Sequence, residues 1–410
     1  CLAHQFRDGS ALLTWYPYDN GGYSDQPFWI VWSIVEAIKE IGDFTLLDRQ
    51  VPFEDGGTGT VREHLRAATN RLIEDRGSNG LVKLKFADWN DALNVTTDPE
   101  AESVMLSAQA CLGFAELARL YDWVGEASRA RELREEYQKL KAAINEKAWD
   151  GSWYVRALSR DGAIGSASEG RIYLNAQVWP LLAGVAEGER VGAVLKALDG
   201  MEHEFGFPIC TPPNSEYSPA SGRMSGMFPG LFENGGVYCH ATGFKALMDC
   251  YYGRGEAALR ALSKIAPDSP ENPSARSGAE PYAFTNCYAT HPKFYGKSYQ
   301  SWTTGTSAWA LITLYEGILG MRRDFGGLRL APCLPGSWDG AEATRVFRGT
   351  RYRIVYRNSK AMSREKPLIL VDGTRLDGNM LPRFDDDVEH HVEVEYASAP
   401  VPGAASTRKE

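Results

Sequence analysis

The chain lacks several features that mark common functional classes. Basic residues are not in excess, because 44 Lys and Arg stand against 53 Asp and Glu and give a net charge of −9 at pH 7. This balance argues against a surface for nucleic acids or anionic membranes. The sequence shows no signal-peptide pattern and no apolar run long enough to cross a bilayer, so we expect no membrane association. Any phosphate that the protein handles must be held by a few donors in a pocket.

Cysteine is sparse and irregularly spaced. The seven Cys stand at positions 1, 111, 210, 239, 250, 287 and 333, without a CxxC pair. An odd, scattered set favours free thiols in a reducing cytoplasm over a disulfide framework.

The sequence also shows no metal-ligand cluster and no nucleotide-binding fingerprint, so we expect neither a metal nor a cofactor. Because the chain begins with Cys1 rather than Met, inside what reads as continuing structure, we expect a fragment of a longer protein.

The sequence does contain a long region of helical periodicity, from about Asp25 to Gly320. The run from Phe28 to Ile38 is apolar on nearly every face and predicts a helix that is buried all round. The run from Arg129 to Ala148 is highly charged and predicts an outer helix. Further helices are predicted at 103–121 and near 61–76, 172–184, 190–199, 240–253, 256–265 and 305–319. This alternation predicts stacked αα-hairpins, with inner helices against outer ones.

The pattern changes after Gly320. Short runs of alternating polarity predict antiparallel strands at 327–330, 344–347, 352–356, 368–371 and 391–395. We therefore predict a mainly α fold, with an α/α barrel over 1–322, a small antiparallel β domain over 323–397 and a disordered tail over 398–410. The long loops at 11–28, 84–100, 205–236 and 267–304 should gather at one end of the helices and build a pocket.

The stretch Asp88-Trp89-Asn90-Asp91 has the residue types of a sugar-cleaving site. A Trp ring can cover the apolar face of a pyranose while a carboxylic acid reaches the glycosidic oxygen. Asp and Asn are also the usual residues of turns and helix caps. At this point the catalytic and the capping interpretations are both open.

Two further segments place polar groups at the start of a helix. The segment from Glu233 to His240 contains two adjacent glycines, which allow a tight turn. His240 then lies in the first turn of the helix that follows, where anions are favoured. Local packing or capping explains His240 equally well. In the segment Ser301–Ser307, the hydroxyl and N–H groups around Thr304 and Gly305 predict a small anion cradle, although Ser and Thr are also common N-caps.

A fourth segment begins with Asp25, two residues before Pro27. An acidic residue followed by Pro in the first turn is typical of a helix N-terminus. Helix capping explains Asp25 adequately, and binding of a sugar hydroxyl is the alternative.

These stretches, in this order and rough spacing, resemble the inverting disaccharide phosphorylases of glycoside hydrolase family 94, which include cellobiose and chitobiose phosphorylases. Other matching stretches are Ile41–Phe44, Val51–Phe53, Trp149–Tyr154, Gln177–Trp179, Gly253–Gly255, Glu280–Tyr282 and Asp324–Pro335. The similarity extends to about Gly349. It implies an (α/α)6 toroid of helical hairpins followed by a small β domain, in a protein that is commonly a homodimer.

The resemblance also implies a reaction and a role for each candidate. A β-linked disaccharide or oligosaccharide would be cleaved by inorganic phosphate with inversion, which gives an α-sugar 1-phosphate and a shortened sugar. Asp91 would be the general acid and Trp89 would line the subsite of the transferred sugar, while Glu233 would lie by the acceptor sugar. The implied phosphate site consists of His240, Thr304 and Gly305.

Two departures from the family pattern affect these expectations. Cellobiose phosphorylases have Lys directly before the glutamate, whereas this chain has Phe232, which argues against glucose as the acceptor. An N-terminal β-sandwich, a linker and an early Arg/Asp-bearing barrel segment would lie before Cys1, so we expect poor activity from these 410 residues alone. The alternatives are an inverting hydrolase with Glu233 or Asp25 as the base, and a non-catalytic carbohydrate-binding remnant.

Overall fold

The computed structural model describes residues 2–358 and 367–396, and the tail predicted over 398–410 lies outside them. The α-helices of the described residues are α1 (Gln26–Ile41), α2 (Val61–Glu74), α3 (Val104–Trp123), α4 (Ala127–Lys147), α5 (Leu174–Leu182), α6 (Glu189–Asp199), α7 (Cys239–Tyr251), α8 (Gly255–Ile265), α9 (Ser274–Ser277) and α10 (Thr306–Ile312). A π-helical turn over Thr313–Ile318 continues α10. None of these helices combines the length and apolar character that a bilayer span requires. The helices predicted from periodicity are confirmed to within a few residues at their ends.

Short strands connect the helices. They are β1 (Thr14–Trp15), β2 (Tyr18–Asp19), β3 (Gln50–Pro52), β4 (Thr58–Thr60), β5 (Glu102–Ser103), β6 (Ala157–Ser159), β7 (Gly162–Ile164), β8 (Ile172–Tyr173), β9 (Cys210–Thr211), β10 (Val237–Tyr238), β11 (Thr285–Tyr288), β12 (Ser298–Ser301), β13 (Met321–Asp324) and β14 (Gly327–Leu330). They form two- and three-stranded antiparallel sheets, of which β10-β11-β12 lies beside the start of α7. These small sheets hold the long loops together.

The long helices alternate between inner and outer positions. Helix α1 contacts α3, α3 contacts α5, α5 contacts α7, and α7 contacts α10, while α2, α4, α6 and α8 each pack against the inner helix that precedes them. Burial follows this alternation: 14 of the 20 residues of α3 are buried, against 4 of the 21 residues of α4. The prediction that the charged run 129–148 forms an outer helix is confirmed.

An aromatic layer joins the inner helices at their centre. Trp179 of α5 lies edge-on to Phe28 and Phe244, with ring centroids 5.6 and 5.1 Å apart. Trp309 of α10 lies edge-on to Phe244 at 4.5 Å and to Trp29 at 6.5 Å. Edge-to-face contacts of this kind add about 0.5–1.5 kcal/mol each beyond the area that they bury. The layer therefore links α10 back to α1.

The prediction that α1 is buried all round is wrong at its outer face. Ser33 is exposed, so the helix keeps one narrow solvent-facing stripe. The helix also buries charges that the apolar pattern did not predict. Lys39 Nζ lies 2.6 Å from Glu36 Oε1 and 2.7 Å from Glu116 Oε2, and this pairing offsets the desolvation of all three groups.

The C-terminal region forms a five-stranded sheet. Its strands are β15 (Gly340–Phe347), β16 (Thr350–Asn358), β17 (Leu368–Val371), β18 (Thr374–Arg375) and β19 (Glu389–Tyr396), in the spatial order β15-β16-β19-β17-β18. Three of its pairings are antiparallel as predicted, but β16 and β19 pair in parallel. The long connection from Asn358 to Glu389 carries the β17–β18 hairpin, and this length allows the chain to return in the same direction.

His390 on β19 gives this region a pH-dependent contribution to stability. Its Nδ1 lies 2.7 Å from Asp372 Oδ2 and its Nε2 lies 3.0 Å from Asp386 Oδ1. The hydrogen bond to Asp372 raises the pKa of His390, and the same contacts lower the pKa of both carboxyl groups. The stabilisation is therefore present below the unfolded His pKa of about 6.5 and is lost as pH rises through the higher folded value.

We expect the His390→Gln variant to lose more unfolding free energy at pH 5.5 than at pH 8.5, because only the protonated imidazole bonds both carboxylates. Urea unfolding of both proteins across this pH range measures the difference. His391→Gln, at the exposed neighbouring position, is the control. An equal loss for His390→Gln at both pH values would contradict the prediction.

Candidate active site

Three of the four long loops, 11–28, 84–100 and 267–304, line one cavity of about 450 Å³ at the N-terminal ends of α1, α7 and α10. The loop 205–236, which the structure describes throughout, contributes no lining residue. Six of the seven predicted site residues line the cavity: Asp25, Trp89, Asp91, His240, Thr304 and Gly305. The other lining residues are Leu13, Gln26, Trp29, Tyr238, Asn286, Thr303 and Trp309. Glu233 lies directly behind the wall, bonded to the loop that carries Asp91.

The two aspartates of the first stretch have different environments. Asp88 is fully buried, and its carboxylate oxygens lie 2.6 and 2.7 Å from Nη2 of Arg156, which is also fully buried. The Asp88 carboxylate also accepts hydrogen bonds from Ser103 Oγ at 2.6 Å and from the N–H of Asn90 at 2.9 Å. Asp88 therefore holds the loop in place and has no free oxygen for a ligand.

Asp91, three residues later, is exposed to the cavity, and its carboxyl group accepts no hydrogen bond from the described residues. The surrounding protein still desolvates it, which raises its pKa to about 6 against the opposing charge of Arg223. The negative charge of Asp88 adds to the increase. With this pKa, about half of the carboxyl groups are protonated at pH 6 and about a tenth at pH 7, so Asp91 can donate its proton to a ligand.

Glu233 is almost completely buried, with 5% of its surface exposed. Its Oε2 accepts a hydrogen bond from the N–H of Ala92 at 3.3 Å, next to Asp91. Burial and repulsion from Asp91 raise the pKa of Glu233 to about 8, so the group is mainly protonated at neutral pH. The preceding Phe232 has φ of +46° and packs its ring against Tyr299, 4.6 Å away, rather than lining the cavity.

Trp89 is held by other rings. Tyr238, His240 and Phe244 meet it edge-on, with ring centroids 5.5, 5.0 and 5.2 Å away. These contacts restrict rotation of the indole, and the ring still forms part of the cavity wall. The sequence interpretation of Trp89 as a sugar platform stays a prediction that this geometry permits.

His240 lies in the first turn of α7, as predicted. Burial lowers its pKa to about 3, so the imidazole is neutral before a ligand binds. Its Nε2 is buried and has no hydrogen-bond partner among the described residues. A buried, unpaired ring nitrogen at the cavity wall can bond a ligand oxygen without adding charge.

The predicted cradle around Thr304 is already partly used inside the protein. The Thr304 hydroxyl donates to Asn286 Oδ1 at 2.9 Å, and the N–H of Thr306 donates to Thr304 Oγ1. The N–H of Thr304 donates to the carbonyl of Trp302. Among the described residues, the N–H of Gly305 has no acceptor. The cradle predicted around Thr304 and Gly305 therefore offers one unpaired backbone N–H, that of Gly305, next to the His240 ring.

Gly305 contacts the face of the His240 imidazole. A Cβ at this position would lie 2.5 Å from Cε1 and 2.8 Å from Nε2 of His240. Gly305 has φ of −73°, which any residue can adopt, so only the close approach requires glycine here.

We expect Gly305→Ala to displace the imidazole and to raise the KM for an anionic ligand at least tenfold, since a shift of about 1 Å can cost 10²-fold in rate. Steady-state kinetics with varied phosphate measure the effect. Gly192→Ala is the matched control, because its Cβ on α6 would meet nothing within 4 Å. A wild-type KM for Gly305→Ala would contradict the prediction.

The capping interpretation of Asp25 is wrong for its side chain. Asp25 occupies the N-cap position of α1 but makes no side-chain cap hydrogen bond. Its Oδ2 instead accepts a hydrogen bond from Nε1 of Trp29, 2.7 Å away, because residues four apart lie on the same face of a helix. Burial raises the pKa of Asp25 to about 7.

Sequence reasoning missed Arg156, Arg223 and Asn286. Arg156 carries no local motif, because only the fold brings β6 beside Asp88. Arg223 lies near Asp91, since the N–H of Met224 donates to the carbonyl of Ala92 at 2.7 Å. One signal was available for Arg223: it is the sole basic residue of the loop 205–236.

Among the described residues, no group of three His, Cys, Asp or Glu side chains is arranged to hold a metal ion.

The chain is similar to several disaccharide phosphorylases. It is 39% identical over 404 residues to a solabiose phosphorylase of Paenibacillus borealis, which covers 96% of this chain and 52% of that protein. It is 34% identical to a 3-O-beta-D-glucopyranosyl-beta-D-glucuronide phosphorylase of the same organism, over 91% of this chain and 49% of the relative. An N,N'-diacetylchitobiose phosphorylase of Vibrio proteolyticus is 30% identical over 88% of this chain and 45% of its own length. The chain thus spans about half the length of these relatives.

Solved structures resemble the chain in fold alone. A GH78 family rhamnosidase of a Bacillus species superposes with a TM-score of 0.56 at 15% identity, over 82% of this chain and 32% of its own. A GH63 mannosylglycerate hydrolase of Thermus thermophilus superposes with a TM-score of 0.51 at 16% identity, over 76% of this chain and 84% of its own.

The family model described as "Glycosyl hydrolase 94 superfamily, catalytic domain" matches residues 8–320. The chain therefore belongs to the glycosyl hydrolase 94 superfamily.

Proposed function

We propose that this site cleaves a β-linked disaccharide or oligosaccharide with inorganic phosphate and inversion, to give an α-sugar 1-phosphate and a shortened sugar. The reaction is reversible. The observation that carries the proposal is a carboxyl group, Asp91, that faces the cavity with its pKa raised to about 6. On the same cavity, the N–H of Gly305 and, in the tautomer that carries its proton on Nε2, the unpaired ring nitrogen of His240 supply donors for an anion.

In the proposed mechanism, Asp91 transfers its proton to the glycosidic oxygen as the bond from that oxygen to the anomeric carbon breaks. A phosphate oxygen forms the new bond to the anomeric carbon from the opposite face, which inverts the configuration. Trp89 carries the transferred sugar, and Glu233 lies on the acceptor side. Asp25, when protonated, donates a hydrogen bond to a sugar hydroxyl. Phosphate is a co-substrate, and the proposal includes no cofactor.

The hydrolase alternative is disfavoured by the protonation state of its two candidate bases, Glu233 and Asp25. A base must be ionised to take a proton from water, whereas the pKa of Glu233 is about 8 because the group is buried beside Asp91. Asp25 has a pKa of about 7 and already binds Trp29 through one oxygen. A phosphorylase needs neither base, because phosphate is already anionic.

Phosphate affinity is expected to be low in this chain. Among the described residues, those that line the cavity include no Lys and no Arg, and His240 is neutral. The charge of phosphate is then offset by hydrogen bonds alone, beside Asp25 and Asp91. This supports the expectation that these 410 residues turn over substrate slowly on their own.

We also infer the finer features of the protein that the family resemblance implies. The series of contacts from α1 through α3, α5 and α7 to α10, with Trp29 against Trp309 between its ends, supports five inner helices of an (α/α)6 toroid over 1–322. The strands from β15 onward support a separate β domain over 323–397. The six described cysteines are buried free thiols, which supports a cytoplasmic location. A homodimer is the inferred assembly.

The test is product analysis with a panel of β-linked disaccharides, with and without phosphate, on this chain and on any longer polypeptide that contains it. We expect sugar 1-phosphate of the α configuration and no cleavage when phosphate is omitted. Release of free sugar at the same rate without phosphate would establish the hydrolase. Binding without turnover in either buffer would establish the non-catalytic alternative.

A further inference from the structure

Two exposed aromatic side chains lie beside the cavity and take no part in the proposed mechanism. Tyr282 is 72% exposed and Trp302 is 66% exposed, and their rings meet edge-on with centroids 5.8 Å apart. Trp302 directly precedes Thr303 and Thr304, which line the cavity. We refer to Tyr282 and Trp302 as the aromatic platform.

An acidic side chain, Glu280, lies beside the platform. Hydrogen bonds from the N–H of Glu280 itself and from the side chains of Ser301 and Trp302 lower the pKa of the Glu280 carboxyl group. The edge-on contact with Tyr282 positions the Trp302 ring, while most of the residue's surface stays open to solvent. The stretch Glu280–Tyr282, one of those that match the family pattern, thus supplies one ring of the platform and an acidic neighbour.

The backbone at Trp302 is unfavourable for folding alone. Its φ of +70° lies in the left-handed region, which is a genuine outlier for a bulky residue. The ring does not compensate by burial, because two thirds of it is exposed. Residues held in this way are typical of ligand-binding sites, where the ligand provides the missing contact.

We propose that the aromatic platform is an additional sugar subsite at the mouth of the cavity. It stacks on a pyranose ring beyond those inside the cavity, so the preferred substrates are β-linked oligosaccharides of three or more sugars. This inference rests on the proposed function for the location of the bond that is cleaved. Continuity with the cavity wall favours a longer sugar chain as the occupant, because the same loop carries Trp302 and the residues at the cavity.

The chemistry of the platform fits this occupant. An aromatic face covers the C–H groups of a sugar ring, and the adjacent Glu280 carboxylate can accept bonds from sugar hydroxyls. An anionic occupant would be repelled by Glu280 and by a chain whose net charge is −9.

Titration calorimetry without phosphate tests the proposal, since no turnover occurs under these conditions. The probes are β-1,3- and β-1,4-linked gluco-oligosaccharides of two to five sugars. For the linkage that binds, we expect the trisaccharide to bind about tenfold more tightly than the disaccharide, as one stacked ring provides. Tyr282→Ala and Trp302→Ala should remove this gain and leave disaccharide affinity within twofold, while Trp302→Tyr retains part of it.

Trp123→Ala, at another exposed Trp, is the control and should leave every affinity unchanged. Equal binding of di- and trisaccharides by the wild type, or wild-type trisaccharide binding by Tyr282→Ala, overturns the proposal. Altered sedimentation of the platform variants with unchanged sugar binding also overturns it, because the platform is then a protein interface. Length-dependent binding together with phosphate-independent cleavage would reject the proposed function and leave the subsite in place.

Discussion

Replacing Asp91 by Asn is expected to lower the kcat of phosphorolysis by about 10²- to 10⁴-fold, which is the usual contribution of a positioned general acid. The amide has the size of the carboxyl group but cannot give a proton to the glycosidic oxygen. Because Asp91 makes no hydrogen bond with the described residues, the substitution leaves the surrounding loop intact. Disaccharide affinity should change little, which separates an enzyme from a binding module.

The pH profile gives an independent check on Asp91. The acid acts in its protonated form, so activity should fall as pH rises through its pKa of about 6. Removal of the opposing Arg223 charge, as in Arg223→Gln, should move this limb to higher pH. Initial rates between pH 4.5 and 8.5 measure both effects. A limb that persists at the same pH in Asp91→Asn would assign the titration to another group.

The largest expected effect on stability comes from Arg156. Arg156→Met should lower the unfolding free energy by about 3–5 kcal/mol, because it leaves the Asp88 carboxylate buried without a counter-charge. Urea or thermal unfolding followed by circular dichroism measures the loss. Activity should fall as well, since Asp88 holds the loop that presents Asp91.

Two controls make the Arg156 prediction specific. Arg353→Met breaks an exposed pair with Glu342 and should cost less than about 1 kcal/mol. Asp88→Asn combined with Arg156→Met removes the buried charge and should be more stable than Arg156→Met alone. If the double variant is less stable than the wild type by the sum of the two single losses, the two residues do not act as a pair.

Much of the fold could be predicted from the sequence because the signals are local. The 3.6-residue period located α2, α3 and α4, and the alternation of apolar and charged helices separated inner from outer ones. The parallel pairing of β16 and β19 could not be predicted in this way. Strand direction depends on where a long connection returns, and residue alternation carries no information about that.

For the candidate site as well, one part could be predicted from the sequence and another part could not. The sequence named the residue types and their order, so that six of seven predicted residues line one cavity. It could not assign protonation states, because desolvation depends on the atoms that surround a group in space. Burial leaves His240 neutral and Glu233 protonated, and the assignment of His240 to a phosphate site from the sequence did not include its protonation state.

Asp88 and Asp91 are the clearest example of a difference that only the tertiary structure decides. From the chain order alone they are two similar carboxylates on either side of Trp89, and either could be an acid, a base or a cap. The fold brings Arg156, 68 residues away, against Asp88 and leaves Asp91 facing the cavity. Local periodicity thus predicts the helices, and the order of the motifs indicates the family and the candidate residues. The distinct chemistry of each carboxylate arises from contacts between distant segments, because those contacts set its burial and its charged neighbours.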